Sequence, residues 1–137
     1  MQVNPYLDFN GRCEEAVEYY RRALGAEVMP GIHRFKDSPD QQMVKPATEN
    51  KVMHMSFRLG DLTILCSDGE CGGQPSLQGF SLAVNLRDEN EAKRIFNALS
   101  DGGQIKMPLT KTFFSPAFGM LTDRFGVGWM IHVAPAA

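Results

Sequence analysis

The sequence predicts an α+β fold of two βαβββ modules, residues 1–68 and 78–137, forming a curved mixed sheet around a cavity. Three observations predict it. One unit is written twice: Glu15-Ala16 recurs as Glu91-Ala92, 76 positions on, and each alanine is followed four residues later by an aromatic, Tyr20 or Phe96. Runs of alternating apolar and polar residues flank both of these segments, which is the period of half-buried strands. Glycine closes each segment, as Gly25 and as Gly102-Gly103. A duplicated unit places the binding site between its copies.

In the first module, Val3 to Phe9 alternates, with Val3, Leu7 and Phe9 on one face and Asn4, Tyr6 and Asp8 on the other. Pro5 lies early in the run, where a missing donor is tolerated. Asn10-Gly11 breaks the strand. From about Cys13 to Leu24, Ala16, Val17, Tyr20, Ala23 and Leu24 form an apolar stripe at helical spacing. Glu14 and Glu15 in the first turn and Arg21 and Arg22 in the last complement the helix dipole. Ala26 to Phe35 reads as strand, with Pro30-Gly31 as a break inside it. Lys36 to Lys51 lacks apolar periodicity and reads as a long loop or lid. Val52 to Leu59, the Gly60-Asp61 turn and Leu62 to Cys66 form a hairpin. Ser67 to Gln78, polar and glycine-rich, is the expected linker.

The second module opens with Gly79 to Leu86. Phe80, Leu82, Val84 and Leu86 share one face, and Ser81, Ala83 and Asn85 the other. Asp88 is the expected N-cap, with Glu91 completing a capping-box pattern. The helix runs to about Leu99 with Ala92, Ile95, Phe96 and Leu99 inward. A strand starts over Gln104 to Met107. Thr110 to Phe118 is rich in aromatics, and Asp123 to Gly126 is a turn into a last strand, Gly128 to Val133. Tyr20 and Trp129 fall on core faces, and His33 reads as surface.

Composition excludes several classes. A chain of 137 residues suits one domain, and 43% hydrophobic with 22% charged residues is a globular balance that can support a core. A net charge of −2 without a Lys/Arg block gives no footprint for nucleic acid. No apolar run approaches the ~20 residues of a membrane-spanning helix. Met1 to Tyr6 has neither a basic head nor an apolar signal core, so a cytoplasmic protein is expected. Three cysteines, an odd number, argue against a disulfide framework. Cys66 and Cys71 read as buried thiols, since the pair lacks a matching second pair for a metal.

Several motifs carry a family resemblance. They are Pro5-Tyr6-Leu7-x-Phe9-x-Gly11, Glu15-Ala16-x-x-Tyr19-Tyr20, Leu24-Gly25-Ala26-Glu27, Val52-Met53-His54, Gly79-Phe80, and Thr122-Asp123-Arg124-Phe125-Gly126-Val127-x-Trp129-Met130-Ile131. In this order they span nearly the whole chain. It resembles the PhnB-like proteins of the vicinal oxygen chelate superfamily, which includes glyoxalase I, bleomycin-resistance proteins and extradiol dioxygenases. No Gly-rich loop follows a strand and opens a helix, so the residues offer no site for a nucleotide-type cofactor.

The resemblance implies a divalent metal held by side chains from four strands. The matching positions are Asn4 or Tyr6, His54 or Ser56, Gly79 or Ser81, and Met130. Only His54 is a good ligand, a thioether suits a hard cation poorly, and His132 is a reserve. No metal or other cofactor is therefore expected. The expected cavity-facing residues are Tyr6, Asp8, His54, Ser56, Ser81, Phe114, Phe118, Met130 and His132. His54 has two readings, ligand contact or a strand histidine bonded to Tyr6 or Ser56. Phe113, Phe114 and Phe118, with Pro116 and Gly119 among them, suit the lining of a pocket. Asp8 is a lone carboxylate that would serve as a general base.

Three functions stay open from sequence. One is binding of a small organic molecule without metal; the second is metal-dependent lyase, isomerase or dioxygenase chemistry through His54 and His132; the third is a catalytically silent interaction module. The resemblance also implies a homodimer.

Overall fold

The computed structural model describes residues 1–71 and 76–136, except the side chain of Met43. It divides into two compact units, Met1–Pro75 and Ser76–Ala137. Each carries one helix packed on one mixed sheet. No helix among the described residues is long and apolar enough to cross a membrane.

The first unit contains β1 (Tyr6–Asp8), α1 (Cys13–Leu24), β2 (Glu27–Val28), β3 (His33–Arg34), β4 (Val52–Leu59) and β5 (Leu62–Ser67). The sheet order is β1-β5-β4-β2, with β3 also on β4. β1 runs parallel to β5, and β4 and β5 form the expected hairpin. The predicted Ala26–Phe35 strand is two short pieces, because Pro30 has no N–H for the ladder and Gly31 takes φ 97°. The 36–51 segment holds two single 3₁₀ turns, Phe35–Asp37 and Gln41–Met43.

Helix α1 buries Cys13, Ala16, Val17, Tyr20 and Ala23, and Tyr20 stacks on Phe57 with centroids 5.7 Å apart. Val3, expected to point inward, is exposed, because the strand begins only at Tyr6. Gly25 ends the helix in the left-handed region at φ 71°, where its N–H reaches Arg21 O at 3.0 Å.

The helix start is capped from a distance. Arg12 at the N-cap makes no side-chain cap bond; its guanidinium pairs with Glu15 instead. Asp68 Oδ1 accepts the Cys13 N–H at 2.7 Å, while Oδ2 accepts the Val52 N–H at 2.6 Å. Asp68 is 2% exposed, so the expected Ser67–Gln78 linker is wrong at its start: Ser67 ends β5, and Asp68 is a buried tie between α1 and β4. Residues 72–75 of that linker lie outside the described residues. Cys66 is buried as expected and Cys71 is half-buried; the close partner of Cys66 is Cys13, with sulfurs 3.5 Å apart. That contact, with burial, pushes the Cys13 thiol well above its ordinary value.

The second unit contains β6 (Leu82–Leu86), α2 (Glu89–Ser100), β7 (Gln104–Thr110), β8 (Phe118–Thr122) and β9 (Gly128–Val133), in sheet order β6-β9-β8-β7. Its connectivity repeats that of the first, with a parallel β6–β9 pair beside an antiparallel β8–β9 hairpin. Ala92, Ile95, Phe96 and Leu99 face the sheet, as the stripe predicts. Asp88 caps α2 by accepting the Asn90 N–H at 2.9 Å; the reciprocal Glu91 bond of a capping box is absent among the described residues. Trp129, 2% exposed, sits in the core.

Candidate functional site: the non-helix faces of the two sheets

Strand alternation decides which side chains face away from each helix. Along β9, Trp129, Ile131 and Val133 are buried against α2, while Met130 and His132 point to the other face and are half-buried. Along β8 the same face carries Phe118, Met120 and Thr122. The ladder sets Asn85 of β6 and Phe118 of β8 on either side of His132. Ala83 and Ser81 continue the face along β6.

The loop after β7 completes this group. Ser115, 4% exposed, donates from its hydroxyl toward Val133 O at 2.6 Å and Ala117 O at 2.7 Å, and accepts the Ala117 N–H at 3.2 Å. This folds the loop onto the end of β9. Phe114 then lies over His132, with ring centroids 6.1 Å apart and planes at 22°. Phe118 meets both rings edge-on, 5.1 Å from Phe114 and 6.2 Å from His132. Phe114 remains 42% exposed; Phe113 is fully exposed and meets Phe114 edge-on, 5.1 Å away, beside a shallow pocket that both line.

Asn85 Oδ1 stands 3.2 Å from His132 Nδ1. A carboxamide oxygen only accepts, so this contact closes as a hydrogen bond in the tautomer with its proton on Nδ1, the one that leaves a lone pair on Nε2. In that tautomer the imidazole offers an acceptor beside two aromatic rings.

In the first unit, Tyr6, Leu65 and Ser56 lie in one row across β1, β5 and β4 on the non-helix face. The Tyr6 hydroxyl is 3.5 Å from His54 Nδ1, and their rings are 5.8 Å apart. His54 thus stands on β4 with Tyr6 beside it, one of the two neighbours expected from sequence. Asp8 shares the face, and its Oδ1 accepts the Asn10 N–H at 2.8 Å. Its carboxylate packs on Gly69, where any Cβ would overlap it. That carboxylate ties down the left-handed Asn10-Gly11 turn.

The structure therefore groups Phe114, Phe118 and His132 in the second unit, with Met130 and Ser81 on the same face. It pairs Tyr6 with His54 in the first, with Ser56 and Asp8 on that face. Sequence reasoning missed Asn85 as the side chain that meets His132 Nδ1. Its parity was legible, but the parallel register that places it opposite residue 132 has no local signal.

The donor set does not fit the superfamily's metal. Among the described residues no three His, Cys, Asp or Glu side chains converge. Around His132 stand an amide, two phenyl rings and the thioethers of Met120 and Met130; around His54 stand the Tyr6 phenol, Ser56 two positions along the strand and His33 opposite on β3. A hard divalent ion needs several anionic or imidazole donors at once.

Comparison with known proteins follows the fold and these motifs. The family model described as 3-demethylubiquinone-9 3-methyltransferase matches residues 1–132. The chain belongs to this family. Among PhnB-like relatives, the protein YjdN of Escherichia coli K12 is 36% identical, covering 97% of this chain and 95% of its own. A solved protein of Pseudomonas aeruginosa, PA1353, is 38% identical with a TM-score of 0.84, covering 98% of both chains. A solved PhnB protein of Bacillus cereus, described as a putative 3-demethylubiquinone-9 3-methyltransferase, is 29% identical with a TM-score of 0.82, covering 98% of this chain and all of its own. Glyoxalase-related and fosfomycin-resistance proteins, at 17% and 10% identity and TM-scores of 0.61 and 0.64, share the vicinal oxygen chelate fold. The family description names a methyl transfer. In this PhnB-like chain both strand-to-helix turns, Phe9 to Arg12 and Arg87-Asp88, lack the glycine-rich loop of a nucleotide-type cofactor site.

Proposed function

We propose that this PhnB-like protein binds a small, flat organic molecule on the non-helix face of its second module, without a metal. The observation that supports this reading is the Asn85–His132–Phe118–Phe114 group: aromatic surface beside one oriented acceptor, on a half-exposed sheet face. Phe114 and Phe118 supply area for an apolar ring, and His132 Nε2 accepts from a phenolic or enolic hydroxyl. If a reaction follows, His132 is the base within reach of that hydroxyl.

Phenol and toluene are matched probes, differing in one hydroxyl. Phenol is expected to move the His132 ring signals in NMR spectra of histidine-labelled protein and to bind more tightly than toluene. His132→Phe, which keeps a flat ring and drops the acceptor, should erase that preference. A preference that survives His132→Phe would overturn the role of His132. Silence of the His132 signals to both probes at millimolar concentration would overturn the site. Stoichiometric divalent metal in protein purified without chelator, lost on His54→Ala, would overturn the metal-free part.

A further inference from the structure

We propose that the groove between α2 and the end of β7 is a second, separate binding site, for a small organic monoanion with an apolar body. The groove has a volume of about 470 Å³, within the range of small-molecule sites. Phe96, Leu109 and Ala117 contribute its apolar surface, and Lys93, Lys111 and Glu89 its charge.

Two features make this more than a surface dip. The first is how its floor is made. An ideal Cβ at Gly119 would fall 2.7 Å from Phe96 Cε2 and 3.0 Å from Leu109 Cα, so the absent side chain lets the helix phenyl and the edge strand close over β8. The β7–β8 register slips between Ile105 and Met107 and again between Met107 and Thr110. Such irregularities bend an edge strand and re-aim its side chains.

The second feature is the charge. Lys93 and Lys111 make no ion pair or side-chain hydrogen bond among the described residues, although Glu89 lies four residues before Lys93 on the same helix. That spacing is the one at which helical pairs close. In α1, Glu18 closes on Arg21 at 2.6 Å and on Arg22 at 3.2 Å. Two unpaired ammonium groups against one carboxylate leave the groove a net positive charge, over apolar walls. A carboxylate on a hydrophobic body complements both; a dianion would meet Glu89, and a neutral body would leave the lysines unused.

Benzoate and its neutral isostere benzamide test this on the whole chain, by amide NMR shifts and the dissociation constants fitted from them. Benzoate is expected to shift amides around Lys93, Asn97 and Lys111 and to bind about fivefold more tightly than benzamide. The double variant Lys93→Met, Lys111→Met keeps the apolar stems, and should erase the preference while its melting temperature stays within a few degrees. His132→Phe should leave the groove shifts unchanged, which separates this site from the proposed sheet-face site. Equal binding of the two probes overturns the proposal, as does an unchanged preference in the lysine variant. Benzoate shifts confined to β9 and Phe118 overturn it too, as does an absence of groove shifts at tens of millimolar.

Discussion

Asp123 is predicted to contribute to this fold well beyond the share of an ordinary turn residue. It is 3% exposed. Its Oδ1 accepts the N–H groups of Phe125 and Val127 at 2.8 and 3.1 Å, and its Oδ2 accepts the indole N–H of Trp129 at 2.8 Å. One carboxylate thus shapes the β8–β9 turn and fixes the largest side chain of the core. Orphaning a buried donor costs about 1–3 kcal/mol, and a bond to a charged acceptor contributes roughly 1.5–3. Asp123→Ala removes the acceptor of three N–H groups, and because neighbouring terms do not add fully the expected loss is about 3–6 kcal/mol. That is a large part of the ~5–15 kcal/mol that holds a typical domain together. Asp123→Asn keeps Oδ1 for the turn but turns an NH₂ toward the indole, and should cost about 1–3 kcal/mol. The measurement is guanidinium unfolding followed by far-UV circular dichroism, so that Trp129→Phe can serve as the second arm of a cycle. In that background the Asn substitution should cost about 1–2 kcal/mol less than in the parent chain. The reasoning fails if Asp123→Asn costs the same in both backgrounds, or if Asp123→Ala costs under 1 kcal/mol.

Two further predictions concern the first unit. Glu14 is held below its ordinary carboxylate value, chiefly by its hydrogen bond from Arg34. A depressed folded value means stability that is present above the ordinary carboxylate range and lost as pH falls below it. The pair is largely exposed, so Glu14→Gln should remove under about 1 kcal/mol of that acid-side loss, read as the difference in urea stability between pH 7 and pH 3; an acid slope steeper in the variant than in the parent would contradict the assignment. The thiols of Cys13 and Cys66 are buried, and that of Cys13 is pushed up by Cys66 and by burial. A thiol-disulfide reagent should titrate at most one of the three cysteines, the half-buried Cys71, before unfolding and all three after it. Reaction of two or more in the native protein would refute this.

What the sequence disclosed was whatever is written locally. Helix α1 was legible to its end residues because an apolar stripe meets a glycine that alone takes φ 71° cheaply. The core placement of Tyr20 and Trp129 followed from period alone. Asp68 was read as linker because its partners, Cys13 and Val52, lie 55 and 16 positions back in the chain, and nothing beside it announces a helix cap. The tail motif around Asp123 was noticed as a family mark, yet its physical content is a turn and a core anchor. Phe114, Phe118 and His132 were named together as cavity-facing residues, but their mutual contacts depend on the Ser115 fold-back, which no periodicity encodes.

The two modules, compared by register, show where duplication has been kept and where it has been abandoned. Leu7 pairs with Cys66 and Met55 with Cys66; Val84 pairs with Ile131 and Gly119 with Ile131. Under that correspondence Tyr20 answers to Phe96, and Met55 to Gly119. In the first module Tyr20 stacks on Phe57 and a methionine fills the neighbouring site. In the second, the phenyl lies on the glycine instead, close enough that a Cβ would collide. These are alternative packings of one helix on one sheet, which cores tolerate when volume is redistributed. The non-helix faces obey no such constraint. Asp8 and Ser67 stand where Asn85 and His132 stand, and His54 precedes Met55 as Phe118 precedes Gly119. An imidazole thus stands on β4 in one module, beside Tyr6, and on β9 in the other, beside Asn85. The first module's face carries a phenol and an imidazole on β1 and β4, whereas the second carries amide, imidazole, phenyl and thioether groups on β6, β9 and β8.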